Sequence, residues 1–499
     1  MSDVKLSTPL PAAPRISWRA LANNLMTRMG LISVVFWGLT LLFFVFRDIT
    51  SNSFEDHPYA GLLIYVLLPI LFWSSIGFAA IGMLYTWRRI KTHPEEASNT
   101  LLLRPIAKRA MAVGLVVTLG WLMLSGFGAY KSYHYTATTS FCGTACHVME
   151  PEHVAYSNSI HDKISCPQCH VGSGLQSSLQ AKTNGVVQLY EVLTKSYHTP
   201  IHTPIAHERP KKGTCGQCHA PERMRGEVTR TITHFSTDAE NTPIRYKLLM
   251  NVAGGMGVHW HVSDKYKVSF FAADAAYQDI PYVRFTKEDG SIVEYMTAKF
   301  DKSTLDESKL RTMTCADCHN RVGHDFKPPK RAIDAAMESG QIPASIPMIK
   351  RVASKALTEK YNSTEEATAK IGAAIDDYYK GNPPSAEIAA LLPAAKSAVL
   401  DVYRKNFFPE QDVDFRGFND NLGHYEFKGC DRCHDQKHTT VDKSKSIEKK
   451  CDLCHTLIGQ ATGAEEIKNM VIGKTEFKHP EEPVSLKKTC SSCHALKKE

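Results

Sequence analysis

Twelve of the fourteen cysteines fall into six C-x-x-C pairs: Cys166/Cys169, Cys215/Cys218, Cys315/Cys318, Cys430/Cys433, Cys451/Cys454 and Cys490/Cys493. The residue after each pair is histidine: His170, His219, His319, His434, His455 and His494. A tetrahedral zinc site asks for four N or S ligands and has no reason to fix histidine directly behind the second thiol. A disulfide framework needs no histidine at all. With 22 histidines in 499 residues, six repeats of one adjacency are not chance. C-x-x-C-H is the attachment signal for a c-type haem. Two thiols at that spacing form thioethers to the vinyl groups, and the adjacent imidazole lies under the iron.

The last two cysteines sit in "FCGTACHVMEPE", residues 141–152, where three residues separate Cys142 from Cys146. Reading this stretch as another haem site brings the total to seven covalently bound c-type haems and uses every cysteine once. Either His147 or Met149 could hold its iron. Methionine would give the higher potential, since Met/His ligation raises it above that of a histidine pair.

A six-coordinate iron takes a second axial ligand. Fifteen histidines lie outside the attachment motifs. Those closest to motifs are the leading candidates: His161, His207, His324, His424, His438 and His479. His234, His259 and His261 follow, the last two placed by the alternation of "GVHWHV" on one side of a strand. His153, His198 and His202 rank third, because each has a stronger neighbour. Candidates outnumber irons, and sequence does not pair ligand with haem.

The formal charge is +8. Seven haems would add fourteen propionates, so a basic nucleic-acid-binding surface is excluded as the meaning of that charge. The basic residues are instead available to propionates and to cytoplasmic loops.

The elements that must position these sites begin with three apolar stretches, 30–46, 60–85 and 111–130, none containing an ionisable residue. Each is long enough to cross a bilayer. The 86–110 connection carries Arg88, Arg89, Lys91, Arg104, Lys108 and Arg109, whereas 48–59 has no lysine or arginine. The positive-inside bias then puts the N-terminus in the cytoplasm and everything after residue 130 outside. The first stretch starts late and lacks a small-x-small site, which favours an uncleaved anchor over a signal peptide. No histidine lies within the spans, which argues against a b-type haem between them.

The expected fold class is a membrane-anchored multihaem cytochrome c: three N-terminal transmembrane helices, then a periplasmic, haem-packed, mainly helical or irregular region with a small β-rich insert. The expected segments are 1–130 (anchor), 131–220 (haems 1–3), 221–314 (β-rich, no motif), 315–408 (haem 4 and helices) and 409–499 (three haems). Residues 175–193 have helical periodicity. Asp289-Gly290 marks a hairpin between alternating segments. Ser363 and Glu366 form a capping-box pattern, Gly381 stops that helix, and Pro393 kinks or interrupts the next. Residues 424–494 hold three motifs, so the macrocycles must serve as core there.

An apolar helix followed by "CGTACHVM", then "YSNSIH" and "CPQCHV", resembles the NapC/NirT/NrfH family of membrane-anchored cytochromes over residues 111–219. The longer pattern, with "GVHWHV", "CADCHNRVGHDF", "NLGHYEFKGCDRCHDQKH" and "CDLCHTLIGQ", is similar to heptahaem inner-membrane cytochromes of the ImcH type. The resemblance implies a multi-pass inner-membrane protein that oxidises menaquinol near the first haem and passes electrons to periplasmic c-type cytochromes. It implies Met149 as a ligand of the first haem and Lys182 in the quinol site. The acidic partner of the family's lysine falls on Gln188 or is absent, a departure from the pattern. A terminal reductase with an open iron is a competing reading, although C-x-x-C-K is missing. Electron-transfer subunit of a larger complex is another, and a homo-oligomer stays open.

Overall fold

Two long apolar helices lead the chain: α1 (Leu25–Ser51) and α2 (Leu68–Thr92). Their crossing is made by small residues. A methyl group on Gly30 would come within 2.7 Å of Ala79 N, and one on Gly82 within 2.5 Å of Thr27 Oγ1. The backbones approach closely because neither glycine has a side chain. Asn24 Nδ2 donates to Gly82 O at 3.2 Å and to Thr86 Oγ1 at 2.8 Å. Small residues with a few interhelical hydrogen bonds are how helices associate in lipid, where apolar burial gives no drive. Phe36, Leu39, Phe46 and Ile81 point outward.

The computed structural model describes residues 21–22, 24–51, 67–92, 120, 123–171, 175–201, 214–220, 223–224, 226–253, 257–417, 419–480 and 489–495. Among these, α1 and α2 are the two helices long and apolar enough to cross a membrane. Both differ from the expected spans: α1 starts at Leu25, and α2 runs to Thr92 and takes Arg88, Arg89 and Lys91 into its last turns. Of the third expected span, 111–130, only residues 120 and 123–130 are described; they are helical, and the helix continues to 135. By compactness the chain divides into two units, Met1–His147 and Val148–Glu499.

The second unit opens with α3 (Glu150–Ser157) and α4 (Leu175–Thr194), the latter where the periodicity puts it. Two antiparallel sheets follow. One has the order β1-β2-β7, from β1 (Glu227–Phe235), β2 (Pro243–Asn251) and β7 (His455–Thr462). The other has the order β5-β4-β3-β6, from β3 (Lys267–Phe271), β4 (Tyr282–Thr286), β5 (Ile292–Met296) and β6 (Arg311–Thr312). The β4–β5 hairpin turns at Asp289-Gly290, with Gly290 at φ +80°. Residues 258–262 are not a strand: they form a 3₁₀ helix, Val258–Val262.

Four helices then build an ordinary core: α5 (Pro329–Glu338), α6 (Ile349–Thr358), α7 (Thr364–Gly381) and α8 (Leu392–Asn406). Ser363 Oγ caps α7 by accepting from Glu366 N at 3.1 Å, while the Glu366 carboxylate accepts from Asn362 N at 2.7 Å, one residue before the position a capping box uses. Pro393 stands in the first turn of α8, where its missing N–H costs nothing. A separate short helix, Ala386–Ala389, precedes it. Ile333, Ile346, Ile349, Leu357, Ile371 and Val399 are all 0% exposed.

Candidate haem sites

Each C-x-x-C pair lies on a tight helical turn. Cys166–His170, Cys315–Cys318 and Ser491–His494 are α-helical, while Cys215–Gln217, Gly429–Arg432 and Cys451–Leu453 are 3₁₀. On such turns residues i and i+3 share a face, which brings both thiols to one side. The longer C-x-x-x-C stretch lies on a π-helical turn, Phe141–Ala145, with Cys146 N donating to Phe141 O at 3.4 Å. The wider turn absorbs the extra residue and returns Cys142 and Cys146 to a common face.

The protein does not enclose all of these thiols. Cys169, Cys215, Cys218, Cys430, Cys451 and Cys493 are exposed. Cys218 and Cys493 are each the second thiol of a pair on a short turn, Cys218 N donating to Cys215 O at 3.2 Å and Cys493 N to Cys490 O at 3.1 Å. Turns this short carry few apolar side chains to cover a neighbouring sulfur. A thiol that bonds to a vinyl group must also present an open side to it.

Every histidine of the six C-x-x-C-H motifs faces one histidine from elsewhere. The ring centroids are 6.0 Å apart for His170/His324 and His261/His434, 6.1 Å for His161/His219 and His479/His494, and 6.2 Å for His259/His319 and His424/His455. Two imidazoles bound to one metal ion through bonds of about 2 Å, with roughly an ångström more from each nitrogen to its ring centre, stand about 6 Å apart. The six spacings fit an iron between each pair. Among the described residues no group of three or more His, Cys, Asp or Glu could hold a bare metal ion, and all fourteen cysteines are free thiols. Two axial imidazoles beside two thiols suit a porphyrin, which brings its own four nitrogens.

The surroundings prepare these rings as ligands. Nδ1 lies 2.9 Å from Glu152 O in His324, 2.7 Å from Val252 O in His259, 2.9 Å from Val258 O in His261 and 2.8 Å from Glu448 O in His434. An Nδ1–H donating to a carbonyl leaves the Nε2 lone pair for a metal. Burial pushes His324 down to about 4 and also lowers His261, His319 and His455, which keeps the imidazoles neutral. Among the thiols, burial pushes Cys433 up to about 12 and Cys318 and Cys454 up to about 11. Cys215 is instead lowered to about 5, chiefly by the neighbouring Cys315 thiol, a proximity of the third motif to the fourth in the free-thiol form.

The pairing does not follow proximity in sequence. His161 precedes Cys166 but faces His219; His324 follows His319 but faces His170; His424 precedes Cys430 but faces His455. His259 and His261 stand 240° apart on their 3₁₀ turn and so serve two different motifs, as one side of a strand could not.

Two expected ligands are placed otherwise. His438 is 1% exposed, with Nε2 on Ile280 O at 2.7 Å and Nδ1 on Asp435 Oδ1 at 3.1 Å. Both nitrogens face oxygen acceptors, so no lone pair is offered to a metal. His234 has Nδ1 on Asp334 Oδ2 at 3.1 Å and stacks on Tyr425. His153 stacks on Tyr156 and His198 is exposed. His202, His207 and the side chain of His147 lie outside the described residues. Met149 closes a 3₁₀ turn, His147–Met149. Lys182 and Gln188 both lie on α4, Lys182 half-buried and Gln188 exposed.

Thiol pairs on one-sided turns, facing imidazoles and N-terminal apolar helices define a multihaem c-type cytochrome with a membrane anchor. Residues 105–209 match the N-terminal region of the NapC/NirT cytochrome c family. The chain is 37% identical over 483 residues to the cytochrome c-type protein ImcH of Geobacter sulfurreducens, covering 93% of each chain. It belongs to this family of membrane-anchored, electron-transferring c-type cytochromes, with covalently bound haem. No solved structure matches it.

Proposed function

We propose that the chain binds seven haems, takes electrons from membrane menaquinol and passes them to periplasmic c-type cytochromes. The observation that carries this reading is the set of six facing histidine pairs. In it, His324, His161, His259, His261, His424 and His479 would hold the irons from the side opposite His170, His219, His319, His434, His455 and His494 respectively. Haem held this way supplies a one-electron Fe(III)/Fe(II) couple at a potential set by its axial ligands. At the six sites with facing histidines the protein would supply both ligands and leave substrate no place on the iron, which favours conduction over reduction at an open iron.

The chain's own residues keep these sites together. The 3₁₀ turn carrying His259 and His261 binds the fourth and fifth motifs to one segment. The first site uses Cys142 and Cys146, with His147 or Met149 on its iron. It follows directly on the helix over residues 123–135, where a membrane electron donor can reach it. Lys182 on α4 is the residue assigned to quinol. Loop charge puts this whole region on the periplasmic side of the inner membrane.

Mixing the purified protein with menaquinol should raise the reduced α-band. No haem reduction would sink the proposal, and a stable carbon monoxide adduct would favour an open iron instead. Met149→Ala should alter one haem spectrum and slow quinol oxidation; an unchanged spectrum returns that ligand role to His147.

A further inference from the structure

Two consecutive residues, His424 and Tyr425, meet two different haem motifs. His424 faces His455 of the sixth, and the Tyr425 ring lies on His494 of the seventh, with centroids 4.4 Å apart and planes tilted by 29°. Tyr425 also stacks on His234 at 5.2 Å and 28°. The Tyr425 ring thus stacks with two histidines, His234 and His494.

His234 is anchored in the helical core. His234 Nδ1 meets Asp334 Oδ2 at 3.1 Å, and Asp334 Oδ1 accepts from Phe235 N at 2.9 Å and from Lys350 Nζ. Lys350 is 1% exposed, and its backbone N–H donates to Asn241 Oδ1 at 3.0 Å. Tyr425 is itself 42% exposed, so its support comes from the ring behind it rather than from burial. Here a buried ion pair between Asp334 on α5 and Lys350 on α6 fixes a histidine that faces no motif histidine, and that histidine backs a tyrosine lying on His494.

An axial imidazole turns freely about its metal–nitrogen bond unless its plane is held. The plane selects which iron d orbital receives the ring's π density, and the angle between the two axial planes shapes the low-spin spectrum. His479 and His494 are inclined by 33°. We propose that Tyr425 is a positioning residue that holds the His494 plane and thereby sets the electronic state of the seventh haem, with His234 as its backing ring. Tyr425 is neither oxidised nor deprotonated in this role; its ring acts, not its hydroxyl. The proposal rests on the reading of His479 and His494 as axial ligands.

The test uses the full-length holoprotein, with electron paramagnetic resonance of the oxidised form and potentiometric titration. Tyr425→Leu should shift the largest g-value of one low-spin signal and move one potential, with haem content unchanged. Tyr425→Phe, which keeps the ring, should match wild type in both. His479→Met is the control for the ligand reading and should replace one low-spin signal. If His479→Met changes a signal while Tyr425→Leu changes none, Tyr425 has no positioning role. If His479→Met changes nothing, the ligand reading itself fails. Should Tyr425→Leu fail to load haem, His234→Gln decides the matter. It keeps a hydrogen bond to Asp334 but removes the backing ring, and it should shift the same signal by less; no shift overturns the proposal.

Discussion

Between Pro329 and Phe415 the chain buries aliphatic side chains completely, Ile333, Ile349, Leu357 and Ile371 among them. Between 419 and 495, Ala461 is the one apolar side chain buried to a comparable degree among the described residues. Both regions belong to the same unit, yet they are held by different means. The helical block closes on itself by apolar burial. The C-terminal segment has three attachment motifs, and beyond them its main protein tie is β7 paired with β2. The haems proposed for these motifs would then serve as its interior, and the segment is expected to depend on them for folding as the helical block does not.

The largest effect should come from withholding the cofactor. Replacing all six cysteines of the last three motifs with serine should leave 424–494 open to protease while α5–α8 stays resistant. Equal protection of both regions would break the comparison. A smaller effect is expected from Ile371→Ala, which should cost about 2–5 kcal/mol in the helical block, as large-to-small core changes do. Denaturant unfolding followed by far-ultraviolet circular dichroism should show the loss, with the haem absorption spectrum unchanged under native conditions. A changed haem spectrum would mean that the block and the haem sites share one packing unit.

The same division governs what the sequence reveals. Thioether attachment is local chemistry at fixed spacing, so the thiols and the histidines behind them can be read directly. How far each thiol is covered cannot: Cys218 and Cys493 are exposed while Cys318 and Cys433 are not, although all four close the same motif. The α5–α8 block can be read as well, because Ser363, Gly381 and Pro393 punctuate an amphipathic pattern. Distal ligands are tertiary contacts, and nothing near His161 or His324 states that each crosses to another motif. "GVHWHV" misleads because period-two spacing of histidines suits a strand and a 3₁₀ turn alike. The strand β7 is hidden because it begins on His455, itself a motif residue. β1 and β2 fall inside the β-rich 221–314 segment, but their bounds are not legible because they carry many polar residues and the first half of β1 is exposed.

His324→Met sharpens the comparison within the haem region. Met/His ligation raises potential, so one midpoint should climb by on the order of a tenth of a volt, inside the ~0.8 V that axial ligands span. Neighbourhood in sequence would assign the change to the haem at Cys315 and Cys318, whereas the pairing assigns it to the haem at Cys166 and Cys169. A protein that also carries Cys166→Ser and Cys169→Ser distinguishes them. If it lacks the shifted midpoint, the crossed pairing holds; if it retains the shift, His324 serves the fourth motif.

The smallest effect is expected at His438, which lies close to a motif and yet belongs with the self-supporting parts. Its two nitrogens bind Ile280 O and Asp435, joining the fifth motif's loop to the β-rich segment. His438→Asn should leave every haem signal and midpoint in place and lower stability by about 1–3 kcal/mol, the cost of breaking buried hydrogen bonds. Loss of a low-spin signal in this variant would make His438 a ligand and displace His261 from His434. Retention of all signals with lower stability would show a histidine four residues behind a motif histidine doing protein packing alone.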